Sequence, residues 1–305
     1  MASVGPYRVE HLIGRGGMAE VHRATHFGAS GFHKPVALKR LLDGLRGTPE
    51  LEKRLIEEAR LGARLSHRNL VSTLDLGVDG GSYYVVLELV EGLDLEALIR
   101  IERLPSELAW LVIEEIAAGL EALHELGDEA GRSLGLVHRD LSPSNVLISR
   151  AGEVKLADFG LLKATLRLED THPNIRKGKY AYMSPEQVAG EALTSASDQF
   201  GLAVIAYELL TGQRPFDGPS VPETLENILA AKPKRPSGLL PEEAAFLERA
   251  LSRRPRERYA AGLELRRAIG ELRRCLPLTG SAELAEWVRS RSASAIARTE
   301  GTKPP

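Results

Sequence analysis

The chain has 305 residues, 43% of them apolar and 27% charged, with a formal net charge of −2. This is the balance of a soluble globular protein large enough for two lobes, and it gives no electrostatic case for nucleic acid. A single cysteine, Cys275, excludes an internal disulfide framework and a cysteine-based zinc cage. No run is apolar enough to span a bilayer or act as a signal peptide, so the expectation is no membrane and a cytoplasmic location.

Residues 7–42 read as strands around a glycine turn, Ile13-Gly14-Arg15-Gly16-Gly17-Met18-Ala19-Glu20-Val21. Glycines let a backbone approach phosphates closely with its N–H groups free. The run continues into a strand, not a helix, which argues against a dinucleotide-binding fingerprint. Val36-Ala37-Leu38-Lys39 is an apolar strand ending in lysine, which taken alone could simply blunt a sheet edge. Thr48-Pro49-Glu50 predicts a helix start, with Thr48 as cap and Pro49 at the first position. Leu51, Leu55, Gly62 and Leu65 fall on one face of that helix; Glu58 shares the face and Glu57 does not. A carboxylate on a buried face needs a cation, and Lys39 is the candidate. Tyr83–Leu89 predicts a strand running into a connector, Leu89-Val90-Glu91-Gly92. Ser106–Leu126 predicts a long amphipathic helix capped by Ser106, followed by a polar surface loop over residues 127–133.

Val137–Gly160 carries the densest chemistry. Two short apolar runs, Val146–Ile148 and Val154–Ala157, flank Ala151-Gly152 and predict a β-hairpin. The open ends of an antiparallel hairpin lie together, so Asn145 and Asp158 become neighbours with Asp140 beside them. Oxygen donors of this kind suit Mg²⁺, although each side chain alone could be turn chemistry. A polar segment with Thr165 and Thr171 then runs to Tyr182-Met183-Ser184-Pro185-Glu186. Asp198–Leu210 is apolar nearly all round, predicting a buried helix that Thr211-Gly212 ends. Arg253, Arg254 and Arg256 read as a solvated basic face. Ser281–Arg289 predicts a short helix carrying Trp287, with disorder expected from Ser290 to Pro305.

His138-Arg139-Asp140-Leu141-x-x-x-Asn145, followed by Asp158-Phe159-Gly160, resembles the catalytic and metal loops of protein kinases. The resemblance covers roughly residues 7–275, and the bacterial Ser/Thr branch looks most similar. It implies an α+β, two-lobed fold: a small antiparallel N-lobe with one main helix over about 7–89, and a larger helical C-lobe over about 93–275. Residues 276–305 would be a tail. The implied cofactors are ATP and Mg²⁺. Asp140 would accept the proton of the acceptor hydroxyl, and Asn145 and Asp158 would hold the metal. Lys39, paired with Glu58, would hold the α- and β-phosphates. Ile13, Gly14, Gly16, Gly17, Val21, Ala37 and Leu147 would line the nucleotide, with Leu87 gating a back pocket. Glu88 and Val90 would offer backbone contacts to adenine, and Asp94 would meet a ribose hydroxyl. Asp198 would accept backbone N–H groups of the catalytic loop, Arg258 would pair with Glu186, and Arg139 would dock a phosphorylated Thr171.

Some positions depart from the family pattern. Ala19 stands at the third glycine and Ser184 at the alanine of the closing motif. Ser142 stands where most Ser/Thr kinases have a lysine that meets the γ-phosphate, and Lys179 stands where they have a threonine. Either Lys179 supplies the missing ammonium, or it points outward and selects an acidic residue on the substrate. The resemblance implies a Ser/Thr protein kinase that phosphorylates its own activation loop, through a transient homodimer, in cytoplasmic signalling. A pseudokinase-like ATP-binding scaffold and a small-molecule phosphotransferase are the competing functions.

Overall fold

The structure, a computed structural model, describes residues 3–158, 178–234 and 238–300, with side chains described as far as Arg291. The described chain divides into two compact units, residues 3–90 and residues 91–158 with 178–300.

The first unit is an antiparallel sheet of six strands with one long helix. The strands are β1 (Ser3–Val4), β2 (Tyr7–Arg15), β3 (Ala19–Phe27), β4 (His33–Leu41), β5 (Thr73–Asp79) and β6 (Ser82–Glu88), in the order β1-β2-β3-β4-β6-β5. Side chains alternate across a strand, and β4 shows the consequence. Val36 and Leu38 join Val4, Tyr7, Val9, Ala24, Tyr84 and Val86 in one cluster. Leu41 belongs to the other face, in a cluster with Val85 and with Leu55 and Ala59 of the helix α1 (Pro49–Gly62). Each fully buried leucine contributes about 1.5–3 kcal/mol, so this face pins α1 against the sheet. Thr48 precedes α1 as expected but caps it only with its carbonyl, which accepts from Leu51 N at 3.1 Å and Glu52 N at 3.0 Å.

The second unit opens with β7 (Gly92–Asp94), α2 (Leu95–Ile101) and α3 (Ser106–His124). Ser106 is the first helical residue of α3, not its cap. Pro105 takes that place, because its preset φ of −52° leaves its carbonyl free to accept from Ala109 N at 2.9 Å. The predicted hairpin is β8 (Val146–Ser149) and β9 (Val154–Leu156), with Val146 opposite Leu156 and Ile148 opposite Val154; β7 adds a third strand beside β8. Five helices follow: α4 (Pro185–Ala189), α5 (Ser195–Thr211), α6 (Val221–Ala230), α7 (Pro241–Ala250) and α8 (Gly262–Arg274). The α5 helix is buried on every side from Ser197 to Tyr207, and Gly212 ends it in the left-handed conformation at φ 73°. It forms the centre of the unit, packed against α3 and α7.

The last helix, α9, runs Ser281–Glu300, longer than the predicted Ser281–Arg289. No glycine or proline interrupts the run before Gly301, so nothing local stops the helix at Ser290. Leu284, Ala285, Trp287 and Val288 are buried, and α9 packs against α2 and β8. No helix among the described residues is long and apolar enough to cross a membrane.

Candidate active site

In the first unit, β4 sets Lys39 between Val21 of β3 and Val85 of β6. Lys39 is 5% exposed and Glu58 of α1 is 9% exposed, and Nζ lies 2.6 Å from Oε1. The pairing inferred from the helical face is therefore present. A buried ion pair stabilises little on balance, since desolvating both charges costs several kcal/mol. Its placement on otherwise apolar faces points to chemistry more than to stability. Nearby, Gly14 stands opposite Val21, and Gly16 N donates to Ala19 O at 2.8 Å across the tip of the β2–β3 hairpin. An added Cβ at Gly17 would meet nothing within 4 Å, so the backbone there stands open. Ile13 is 46% exposed at the same tip, and Ala37 is buried in β4 opposite Leu87. Glu88 ends β6, where its N–H and carboxylate both engage the Ser72 backbone.

In the second unit, α5 anchors the loop that carries Asp140. Asp198, in its first turn, accepts from His138 N at 2.7 Å and Arg139 N at 3.0 Å. The same carboxylate meets His124 Nε2 at 2.7 Å. These bonds hold Arg139 at φ 65°, a conformation that an arginine adopts only under such constraint. Leu141 packs against Gly201 of α5, and Gln187 donates to the Arg139 carbonyl at 2.8 Å. Burial pushes the His138 imidazole pKa down, against the opposing carboxylates of Asp198, Asp140 and Asp158.

Asp140 and Asn145 meet as the hairpin requires. Asn145 Nδ2 donates to Asp140 O at 2.7 Å and to Asp140 Oδ2 at 3.0 Å, which fixes the amide orientation. Ala157 N donates to Asn145 O at 2.9 Å, closing the open end of the hairpin one residue before Asp158. Asp158 is exposed and stands at φ 54°, a second constrained non-glycine residue in the loop region. Asn145 and Asp158 thus stand at the two ends of the hairpin, Asp158 one residue beyond the backbone bond that Asn145 accepts. Among the described residues no three His, Cys, Asp or Glu side chains form a closed metal cage. An open pair of this kind suits Mg²⁺, which keeps waters and takes phosphate oxygens as further ligands.

Lys179 points inward. Its Nζ lies 2.8 Å from Asp140 Oδ2 and 3.4 Å from Asn145 Oδ1. The outward position that the sequence left open is not the one observed. Ser142 is 2% exposed, and its hydroxyl lies 3.1 Å from that of Ser144. Asp94, expected at a ribose, caps α2 and accepts from Ala97 N at 2.7 Å. Leu147 lies in β8 opposite Asp94 and Lys155, and Val90 is half-buried. Phe159, Gly160, Thr165 and Thr171 lie outside the described residues.

The sequence reading missed the bond from His124 to Asp198 and the buried Nε of Arg139, which has no hydrogen-bond partner among the described residues. It also missed the bond from Tyr182 Oη to Glu208 Oε2 at 2.5 Å. Burial raises both the Tyr182 and the Glu208 pKa. A histidine on the last turn of a largely buried helix was the available signal for the first.

The protein kinase domain family matches residues 7–266. Tyrosine-protein kinase MasK of Myxococcus xanthus is 39% identical over 264 residues, covering 84% of this chain and 41% of that protein. Serine/threonine-protein kinase PknL of Mycobacterium tuberculosis is 37% identical over 265 residues, 85% of this chain and 63% of its own. Serine/threonine-protein kinase PknA of the same organism is 33% identical over 276 residues, 88% of this chain and 62% of its own. The chain spans less than two thirds of the length of each of these relatives. The buried lysine–glutamate pair, the Asp198-anchored loop and the match over residues 7–266 agree, and the chain belongs to the protein kinase family.

Proposed function

We propose that the chain is an ATP-dependent protein kinase acting on serine and threonine, with residues 7–275 as its catalytic domain and 276–305 as an appended tail. Members of the family use ATP with Mg²⁺ and modify proteins. The observation that carries the reading is the Asp140–Asn145 bond at 3.0 Å beside the open end of the hairpin. A carboxylate held in one orientation can align an acceptor hydroxyl and take its proton. The new bond forms between that hydroxyl oxygen and the γ-phosphorus while the bond to the bridging oxygen breaks, and ADP leaves with the electron pair. Positioning and charge stabilisation are most of what such a transfer needs.

In this reading Lys39, oriented by Glu58, binds the α- and β-phosphates. The glycine turn offers them its N–H groups, with Ile13, Val21, Ala37 and Leu147 against the base. Glu88 and Val90 offer adenine their backbone, and Asp94, which caps α2, meets a ribose hydroxyl. Asn145 and Asp158 hold Mg²⁺, which when bound neutralises phosphate charge. The buried Nε of Arg139 supports a docking place for a phosphate on Thr171, added by a second copy in a transient dimer. We place this activity in cytoplasmic signalling.

The choice of serine and threonine follows the names of the PknL and PknA relatives, whereas MasK is named a tyrosine kinase. Incubation with γ-labelled ATP and a generic protein substrate, followed by phosphoamino-acid analysis, tests both parts. Labelled phosphoserine or phosphothreonine supports the reading. Label on tyrosine alone overturns the acceptor class, and nucleotide binding without transfer favours the scaffold.

A further inference from the structure

Lys179 lies 39 residues along the chain from Asp140, yet its ammonium sits on that carboxylate, the one assigned as base. Its side chain is 19% exposed and that of Asp140 14%. A pair this sheltered loses much of its hydration and immobilises a long, flexible side chain. That desolvation offsets much of the attraction within the pair, so stability is a weak reason for this arrangement.

The lysine is also held from behind. It opens a short helical turn, Lys179–Tyr182, in which Ala181 and Tyr182 are buried. Tyr182 Oη donates to Glu208 of α5, and the Tyr182 carbonyl lies 3.4 Å from where a Cβ at Gly201 of α5 would stand. Asp198, which holds the catalytic loop, lies on that same helix. One buried helix therefore sets the positions of both the carboxylate and the ammonium. That is the arrangement needed for a charge that must be in place before the reaction. Position 142, beside Asp140, contributes only a hydroxyl engaged with Ser144.

Building on the phosphotransfer reading above, we propose that Lys179 is a catalytic residue whose ammonium, oriented by Asp140 and Asn145, binds the oxygens of the transferring phosphoryl group. The ammonium keeps its proton throughout. Asp140 takes the proton of the acceptor hydroxyl, the oxygen–phosphorus bond forms, and the nucleoside diphosphate leaves with the electron pair. Lys179 accordingly binds most strongly when charge is spread over the transferring group, and weakly to the diphosphate product.

The test compares wild type, Lys179→Ala, and the pair Ser142→Lys with Lys179→Thr. Each is assayed for steady-state phosphorylation of an acceptor peptide. Each is also assayed for binding of ADP alone, and of ADP with aluminium fluoride and the peptide, a stable stand-in for the transferring phosphoryl group. We expect Lys179→Ala to lower kcat by about 10²–10³-fold, the scale of losing one preorganised donor. ADP affinity stays unchanged, and the aluminium fluoride complex weakens in parallel with kcat. The paired variant regains at least about tenfold in kcat, a coupling that independent sites would not show. If wild type transfers phosphate and Lys179→Ala does so within about threefold of it, the proposal fails while the kinase reading stands. The proposal also fails if kcat falls but binding of the aluminium fluoride complex does not, because the lysine is then only structural. A wild type that transfers nothing overturns the underlying reading instead. Should the paired variant not fold, the binding data for Lys179→Ala decide alone.

Discussion

Arg258 and Glu186 lie 72 residues apart and meet through two parallel hydrogen bonds, Nη1 to Oε1 at 2.6 Å and Nη2 to Oε2 at 2.9 Å. Both residues are almost fully buried, at 2% and 3% exposure. The remaining donors of Arg258 go to the carbonyls of Ser252, Arg253 and Ala196. Removing one partner leaves the other charge buried and unpaired. Arg258→Met is expected to cost about 3–5 kcal/mol, measured as a lowered urea midpoint.

The same pair makes stability depend on acid. Burial pushes the Glu186 carboxyl pKa up, but the hydrogen bonds and charge of Arg258 outweigh it, and the pKa lies below its ordinary value. The unfolded chain therefore binds the Glu186 proton at higher pH than the folded one does. Its contribution is complete above the ordinary glutamate pKa and is lost as pH falls through the lowered value. The stability gap between wild type and Glu186→Gln should be constant near neutrality and shrink under acid, read from urea midpoints across that range.

Asp140→Asn keeps a side chain of the same shape but removes the proposed base. Transfer is expected to fall by at least about 10²-fold, with the circular dichroism spectrum and ATP affinity little changed. A rate close to wild type would remove Asp140 from the mechanism.

Asp198→Ala strips the acceptors from His138 N, Arg139 N and His124 Nε2 at once. Arg139 then loses the bond from its own N–H that helps hold it at φ 65°. We expect a stability loss of at least about 1–3 kcal/mol, the range for orphaning one buried donor. The drop in kcat should be larger than any change in ATP affinity, since the loop and not the nucleotide contacts is released.

Thr171 in active protein should carry phosphate, detected by mass spectrometry, and Thr171→Ala should lower activity. Arg139→Ala should lower it to the same extent and make it insensitive to the state of Thr171. Full activity with an unmodified threonine would remove the switch.

Gly152→Val should destabilise the second unit. Gly152 turns the β8–β9 hairpin at φ 78°, and an added Cβ would collide with the Ser281 carbonyl at the start of α9. The strain alone amounts to roughly 1–3 kcal/mol, and the collision adds to it. Thermal unfolding of the full chain measures the sum.

Local pattern decided much of this protein. Alternation along Val36–Lys39 and the helical face of Leu51, Leu55 and Glu58 were enough to pair Lys39 with Glu58, because a buried carboxylate has few ways to be satisfied. The apolar runs around Ala151-Gly152 predicted the hairpin, and antiparallel geometry then brought Asn145 up to Asp158. Helix ends were less legible, as Ser106 and Ser290 show, because caps and stops depend on which backbone groups find partners. Only the folded chain decided where Lys179 points. A long side chain has many rotamers and no periodicity of its own, so its sequence position allowed either direction. Two contacts to α5, through Tyr182 and through Asp198, chose one. The bond from His124 to Asp198 is of the same kind. It joins residues 74 positions apart, and no local pattern carries information over that distance.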